Sequence, residues 1–181
     1  MRPGAHLLQQ RWTIHVATDL HFATDTHRPI LGTRSAAWRS EADCAASARA
    51  LAARPALQQA YVELEGPLGA GKTTFVRHLL RALGVQGRVK SPTYAVLEPY
   101  DVNGLAISHL DFYRFEHARE WEDAGLRDVF AAPGLKLAEW PSHARDALPV
   151  PDLRVTLEPL PDNARAVRFD AYTARGLELL A

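Results

Sequence analysis

Gly66-Pro67-Leu68-Gly69-Ala70-Gly71-Lys72-Thr73 decides the fold, because it meets the pattern G-x-x-x-x-G-K-[ST] at every specified position. Each residue type in it answers a need of a polyphosphate. Glycines let the backbone curl so that successive N–H groups point at phosphate oxygens without Cβ clashes. Lys72 is expected to set its ammonium between β- and γ-phosphates, and the Thr73 hydroxyl to ligate the Mg²⁺ that travels with them. The phosphates would then lie at the N-terminus of the next helix, where free N–H groups and the helix dipole favour anions. Gly66, Gly69, Ala70, Gly71, Lys72, Thr73 and Thr74 are thus the expected contacts of a nucleoside triphosphate.

The flanks supply the context this motif requires. Tyr61 to Glu65 reads as a strand, with Val62 and Leu64 on one face. Phe75, Val76, Leu79, Leu80 and Leu83 recur along one face of a helix, and Gly84 stands where a C-terminal glycine would end it. Upstream, Ser40 to Ala53 is alanine-rich and reads as a helix with Ser40 as its N-cap. Downstream, Ser91-Pro92-Thr93-Tyr94 is a turn leading into the extended run Ala95-Val96-Leu97. Leu105 to Leu110 and Leu135 to Ala138 are apolar strands, separated by a helix over Phe115 to Ala124 that Gly125 stops. Leu153 to Leu157 and Val167 to Tyr172 alternate apolar with polar residues around Pro159-Leu160-Pro161-Asp162-Asn163, an antiparallel hairpin. The sum predicts an α/β protein. It is a three-layer P-loop NTPase fold whose mainly parallel sheet carries the antiparallel C-terminal hairpin at its edge.

Composition narrows the function. The 181 residues suit one α/β domain, and 47% hydrophobic with 23% charged residues is the balance of a soluble globular protein. A net charge of zero gives no general electrostatic grip on nucleic acid. The single cysteine, Cys44, excludes an internal disulfide and fits a reducing compartment. No segment is apolar enough to span a membrane and the N-terminus lacks the apolar core of a signal peptide, so a cytoplasmic protein is expected. Residues 1–32 lack a sustained period and read as a poorly structured or loosely attached extension, with 33–181 as a single P-loop ATPase domain. The extension holds His6, His15, His21 and His27, whose spacing matches no metal-binding pattern, and a short strand over Trp12 to Val16 is the one element it offers.

Two acids follow apolar strands, at the carboxyl ends where open α/β sheets bind ligands. Asp111 follows Leu105 to Leu110, and Glu139 follows Leu135 to Ala138. Either could ligate Mg²⁺ directly, hold it through water, orient an attacking water, or merely pair with an arginine. Lys72, Asp111 and Glu139 are the catalytic candidates, and Thr73, Glu139 and Asp111 the metal candidates. Trp140 beside Glu139 could pack on the nucleotide, on a partner or in the core. The Thr93 hydroxyl lies where many phosphate-loop proteins keep a loop that senses the γ-phosphate. Arg114 could contact phosphate or pair with an acid.

Assembled, these pieces resemble the TsaE (YjeE) family of small bacterial ATPases. The resemblance rests on Gly69-Ala70-Gly71-Lys72-Thr73-Thr74-Phe75, Val89-Lys90-Ser91-Pro92-Thr93-Tyr94, Glu98-Pro99-Tyr100, His109-Leu110-Asp111-Phe112-Tyr113-Arg114, Gly125-Leu126-Arg127-Asp128 and Glu139-Trp140-Pro141, in that order. It spans about residues 40 to 172. It implies ATP and Mg²⁺ as cofactors and a role in forming N6-threonylcarbamoyladenosine in tRNAs that read codons beginning with adenine. It implies TsaD-like and TsaB-like partners, which carry out the transfer and meet the tRNA, while ATP hydrolysis resets the complex between rounds. On matching positions, Lys72 would hold phosphates, Thr73 and Glu139 would ligate Mg²⁺, Asp111 would support metal or water, and Trp140 would line the site. Ser91 to Tyr94 would resemble a first switch loop and the turn at Gly125 a second. Two departures stand out: Pro67 replaces the family's acidic or polar residue, and Cys44 with Ser47-Ala48 replaces a Thr and a Leu-Gly pair near the base. The competing readings are a small P-loop kinase and an adaptor that binds ATP without hydrolysing it.

Overall fold

The computed structural model describes residues 29–116, 120–121 and 124–181. The expected extension and its histidines lie almost wholly outside them, as do the strand considered over Trp12 to Val16 and part of the helix over Phe115 to Ala124.

Strand β2 (Tyr61–Glu65) sends alternate side chains to opposite sides, and this alternation builds the layers. Val62 and Leu64 enter a large apolar cluster, whereas Tyr61 enters a smaller one. β4 (Leu105–Asp111) and β5 (Leu135–Glu139) divide in the same way, with Ile107, Leu135 and Leu137 in the first cluster and Leu110 and Ala138 in the second. The sheet therefore lies between two cores.

With β1 (Gly32–Trp38), β3 (Leu97–Val102), β6 (Leu153–Pro159) and β7 (Arg165–Ala171), the strands make one seven-stranded sheet in the order β1-β7-β6-β2-β5-β4-β3. Its centre, β6-β2-β5-β4, is parallel. The predicted hairpin is β6-β7, and β1 adds antiparallel outside it. β3 closes the other side antiparallel to β4, and it is an edge strand, which is where Pro99 can forgo a ladder donor. β3 starts one residue after Val96, whose φ of 65° is an unusual conformation for a β-branched side chain and turns the chain out of the strand.

Helix α1 (Glu41–Ala52) begins at Ser40, whose hydroxyl accepts from the Asp43 N–H while the Asp43 carboxylate accepts from the Ser40 N–H, a capping box. Helix α2 (Lys72–Leu83) ends at Gly84 with φ 107°, as its sequence indicates. Phe75, Val76, Leu79 and Leu80 are wholly buried between α1 and the sheet, each contributing on the order of 2 kcal/mol. Gly125, with φ of 65°, is the N-cap of a short helix, α3 (Leu126–Ala131), which packs on the second core. Helix α4 (Ala174–Leu180) closes the chain, capped by Thr173. Among the described residues no helix is long and apolar enough to cross a membrane.

A buried ion pair fixes the register of the two strands beside the loop. Arg154 on β6 donates to Glu63 on β2 at 2.8 Å, and the Tyr61 hydroxyl donates to the same carboxylate at 3.0 Å. Burial pushes the Glu63 carboxyl up, against the pull of Arg154.

Candidate nucleotide site

The loop from β2 to α2 is held open by three glycines with positive φ, and Gly66 shows why no other residue fits. Its φ is 143°, and a Cβ there would stand 2.4 Å from the Leu157 carbonyl oxygen. Gly71, at φ 108°, caps α2. The N–H groups of the first turn of α2 have no intrahelical partner, an arrangement that suits an anion. Arg165 on β7 donates Nε to the Ala70 carbonyl at 2.9 Å and braces the loop from behind.

Lys72 is almost fully buried, and its ammonium folds back on its own loop. Nζ donates to the carbonyls of Gly66 at 2.6 Å and Pro67 at 3.0 Å, and lies 3.6 Å from the centroid of the Trp140 ring. Desolvation lowers its pKa below the ordinary lysine value, opposed by the charges of Glu139, Asp111 and Glu65.

The two strand-end acids are register neighbours, Asp111 on β4 opposite Glu139 on β5. Their partners differ. Glu139 is buried, and its Oε2 accepts from the Thr73 hydroxyl at 2.8 Å while Oε1 meets His109 Nε2 at 2.8 Å. Asp111 faces the loop after α2. Its Oδ2 accepts from Ser91 and from Thr93, the latter at 2.8 Å, and its Oδ1 accepts from the Tyr113 N–H at 2.9 Å. Neither acid pairs with an arginine among the hydrogen bonds and ion pairs of the described residues.

Gly69, Ala70, Gly71, Lys72, Thr73, Thr74, Thr93, Asp111, Glu139 and Trp140 line one cleft of about 390 Å³, so the structure brings together all the predicted residues except Gly66. Gly66 acts behind it, through its conformation and the carbonyl that holds Lys72. Trp140, itself at φ 58°, forms a wall with Tyr113 at 5.0 Å between ring centroids. Arg114 turns away from the cleft and lies over the exposed Tyr94 ring at 4.0 Å. Oxygen donors from one hydroxyl and two carboxylates suit a hard cation such as Mg²⁺ that arrives with phosphate and water ligands. Among the described residues no group of three His, Cys, Asp or Glu is placed to hold a metal by itself.

A second pocket, of about 250 Å³, shares Gly69, Ala70, Gly71 and Thr74 with the cleft and continues it past the loop. Its remaining walls are Trp38, Ser40, Glu41 and Cys44 from the start of α1, with Asn163 and Arg165 from the hairpin. Cys44, which replaces the family's Thr, therefore lines this pocket. Ser47 instead accepts a hydrogen bond from the Trp38 indole at 2.8 Å, and Ala48 is in the core. Glu41, Asn163 and Arg165 carry no motif. Glu41 arrives with the start of α1, and Asn163 and Arg165 arrive because β7 returns beside the loop; sequence reasoning has no signal for them. His109 did have one: it stands two residues before Asp111 on the same strand face.

Comparison with known proteins agrees with this geometry. Residues 38–167 match the family model of the threonylcarbamoyl adenosine biosynthesis protein TsaE. The tRNA threonylcarbamoyladenosine biosynthesis protein TsaE of Haemophilus influenzae is 40% identical over 66% of this chain and 75% of its own length. Its namesake in Bacillus subtilis is 38% identical over 62% of this chain and 70% of its own. The crystal structure of YdiB from Bacillus subtilis superposes with a TM-score of 0.68 at 27% identity, covering 82% of this chain and 91% of that one.

Proposed function

The chain belongs to the TsaE family of threonylcarbamoyl adenosine biosynthesis proteins, and on that premise we propose that it is a Mg²⁺-dependent ATPase of tRNA modification. It acts with TsaD-like and TsaB-like partners and supports repeated formation of N6-threonylcarbamoyladenosine in tRNAs that read codons beginning with adenine. It reaches tRNA through that complex, in the cytoplasm. Residues 33–181 are its ATPase domain.

The observation that carries this reading is the 2.8 Å hydrogen bond from Thr73 to Glu139 at the mouth of the phosphate loop. A hydroxyl and a carboxylate that suit one cation already meet at a single point, beside Lys72. Gly69 to Thr74 cradle the phosphates with backbone N–H groups. Lys72 leaves the Gly66 and Pro67 carbonyls for the phosphate oxygens, and the Trp140 ring keeps water from its stem. Thr73 and Glu139 would hold Mg²⁺, which would supply charge neutralisation for the phosphate oxygens. Asp111 supports that pair and ties the Ser91–Thr93 loop to the site through its hydroxyl contacts, so that the loop registers what occupies the cleft. The second pocket takes the nucleoside.

Lys72 is the one cation among the residues lining the cleft. That favours a hydrolase completed by its partner over a kinase, whose phosphates would need an arginine-rich cover. The test is Glu139→Ala, with phosphate release and calorimetric ATP binding measured on the same preparation. Hydrolysis is lost while metal-free ATP binding stays within threefold of the native protein. Unimpaired hydrolysis refutes the role given to Glu139.

A further inference from the structure

His109 lies on β4 facing α2, fully buried, and makes one hydrogen bond with its ring, to Glu139 Oε1. Its other ring nitrogen, Nδ1, is buried with no partner among the described residues. An ionised carboxylate can only accept, so Nε2 donates to it and Nδ1 is left without a partner of its own. An unpaired buried polar atom is destabilising, and an apolar side chain would fill the same space without that penalty. Packing therefore does not account for a histidine here. Its one polar contact is with the carboxylate whose opposite oxygen receives the Thr73 hydroxyl.

We infer that His109 is a positioning residue for the metal site, fixing the Glu139 carboxylate so that Oε2 faces Thr73. The inference rests on the ATPase reading of the cleft. The two ends of the carboxylate have different duties. When a cation draws the Thr73 hydroxyl and Oε2 to itself, the bond from His109 is the contact left to hold Glu139 in its rotamer. Without it, the carboxylate is free to rotate about its own torsions, and a bound cation would have to arrest that motion. Outer-shell partners of this kind change metal affinity by roughly 10- to 100-fold when removed.

The experiment measures ADP affinity by calorimetry with and without Mg²⁺, and the ratio reports how strongly metal and nucleotide assist one another. It compares the native full-length chain with His109→Leu, His109→Asn and His109→Gln, recording a thermal melt for each. The glutamine amide nitrogen reaches the place of Nε2, whereas the asparagine amide stops short at the place of Nδ1. Expected is a ratio reduced at least tenfold by Leu and by Asn, a near-native ratio with Gln, and metal-free ADP affinity unchanged in all three. A role confined to packing would move melting temperatures and leave the ratio alone. A native ratio in the Leu or Asn variant, or a Gln variant as impaired as Leu, overturns the inference. Absence of any Mg²⁺ effect in the native protein overturns the metal reading of the cleft itself, and this inference with it.

Discussion

Lys72→Met removes one charge while keeping an unbranched stem against Trp140, and its effect can be worked from the contacts the ammonium must exchange. In the structure Nζ holds two loop carbonyls at 2.6 and 3.0 Å and an aromatic face at 3.6 Å. Attraction to two phosphates at about 4 Å contributes about 4 kcal/mol each at an effective dielectric near 20. Against this, the charged hydrogen bonds it gives up are worth about 2 kcal/mol each, and the ring contact about 1 kcal/mol. The net loss on substitution is about 2.5 to 3 kcal/mol, or roughly 100-fold in ATP dissociation constant. Stability moves the other way or not at all, since the ammonium is partly desolvated in the free protein, as its lowered pKa records. Titration calorimetry without metal measures the affinity, and a thermal melt on the same sample guards against unfolding. A Lys72→Met protein that binds ATP within threefold of native would mean that the ammonium never leaves its loop carbonyls, and the phosphate role would fall.

Two loop glycines separate steric cost from backbone cost. An alanine Cβ at Gly66 would meet the Leu157 carbonyl at 2.4 Å, whereas at Gly69, with φ 77°, it meets nothing within 4 Å. Urea denaturation should show a loss of about 3 kcal/mol or more for Gly66→Ala and about 1 kcal/mol for Gly69→Ala; equal losses would contradict the loop geometry. Burial pushes the Cys44 thiol up to about 12 from its ordinary 9.0, so the folded protein retains a proton that the unfolded chain releases above pH 9. Its contribution to stability is therefore full below pH 9 and declines as pH rises toward 12. In the folded protein near pH 8 the thiol should react with a disulfide reagent far more slowly than in urea, and rapid labelling of the native state would refute this.

The sequence was most legible where chemistry and backbone make the same demand. The glycines of the phosphate loop, the cap at Ser40, the stop at Gly84 and the strand-end acids each have a local physical reason, and each appears where it was read. Long-range pairing was less visible. Gly32–Trp38 has little alternation to mark it, and it becomes a strand because β7 offers it a free edge. Beyond the extended run read to Leu97, the strand continues past Pro99, which the sheet edge tolerates. Gly125 reads as a stop, and its left-handed conformation also serves as a start for the six residues that follow, which the sequence did not mark. In the site, the different partners of the two carboxylates were undecidable from their spacing: Thr73 and His109 for Glu139, the Ser91–Thr93 loop for Asp111.

The central claim is that the cleft hydrolyses ATP in the service of a partner complex. Its most direct test is Mg²⁺-dependent phosphate release by the full-length chain, measured alone and with purified TsaD–TsaB and substrate tRNA, while modified tRNA is counted in the same reaction. The account predicts slow release by the chain alone, strong activation by the partners, and more than one modified tRNA per complex. Hydrolysis indifferent to those partners, with no gain in modified tRNA, would contradict it.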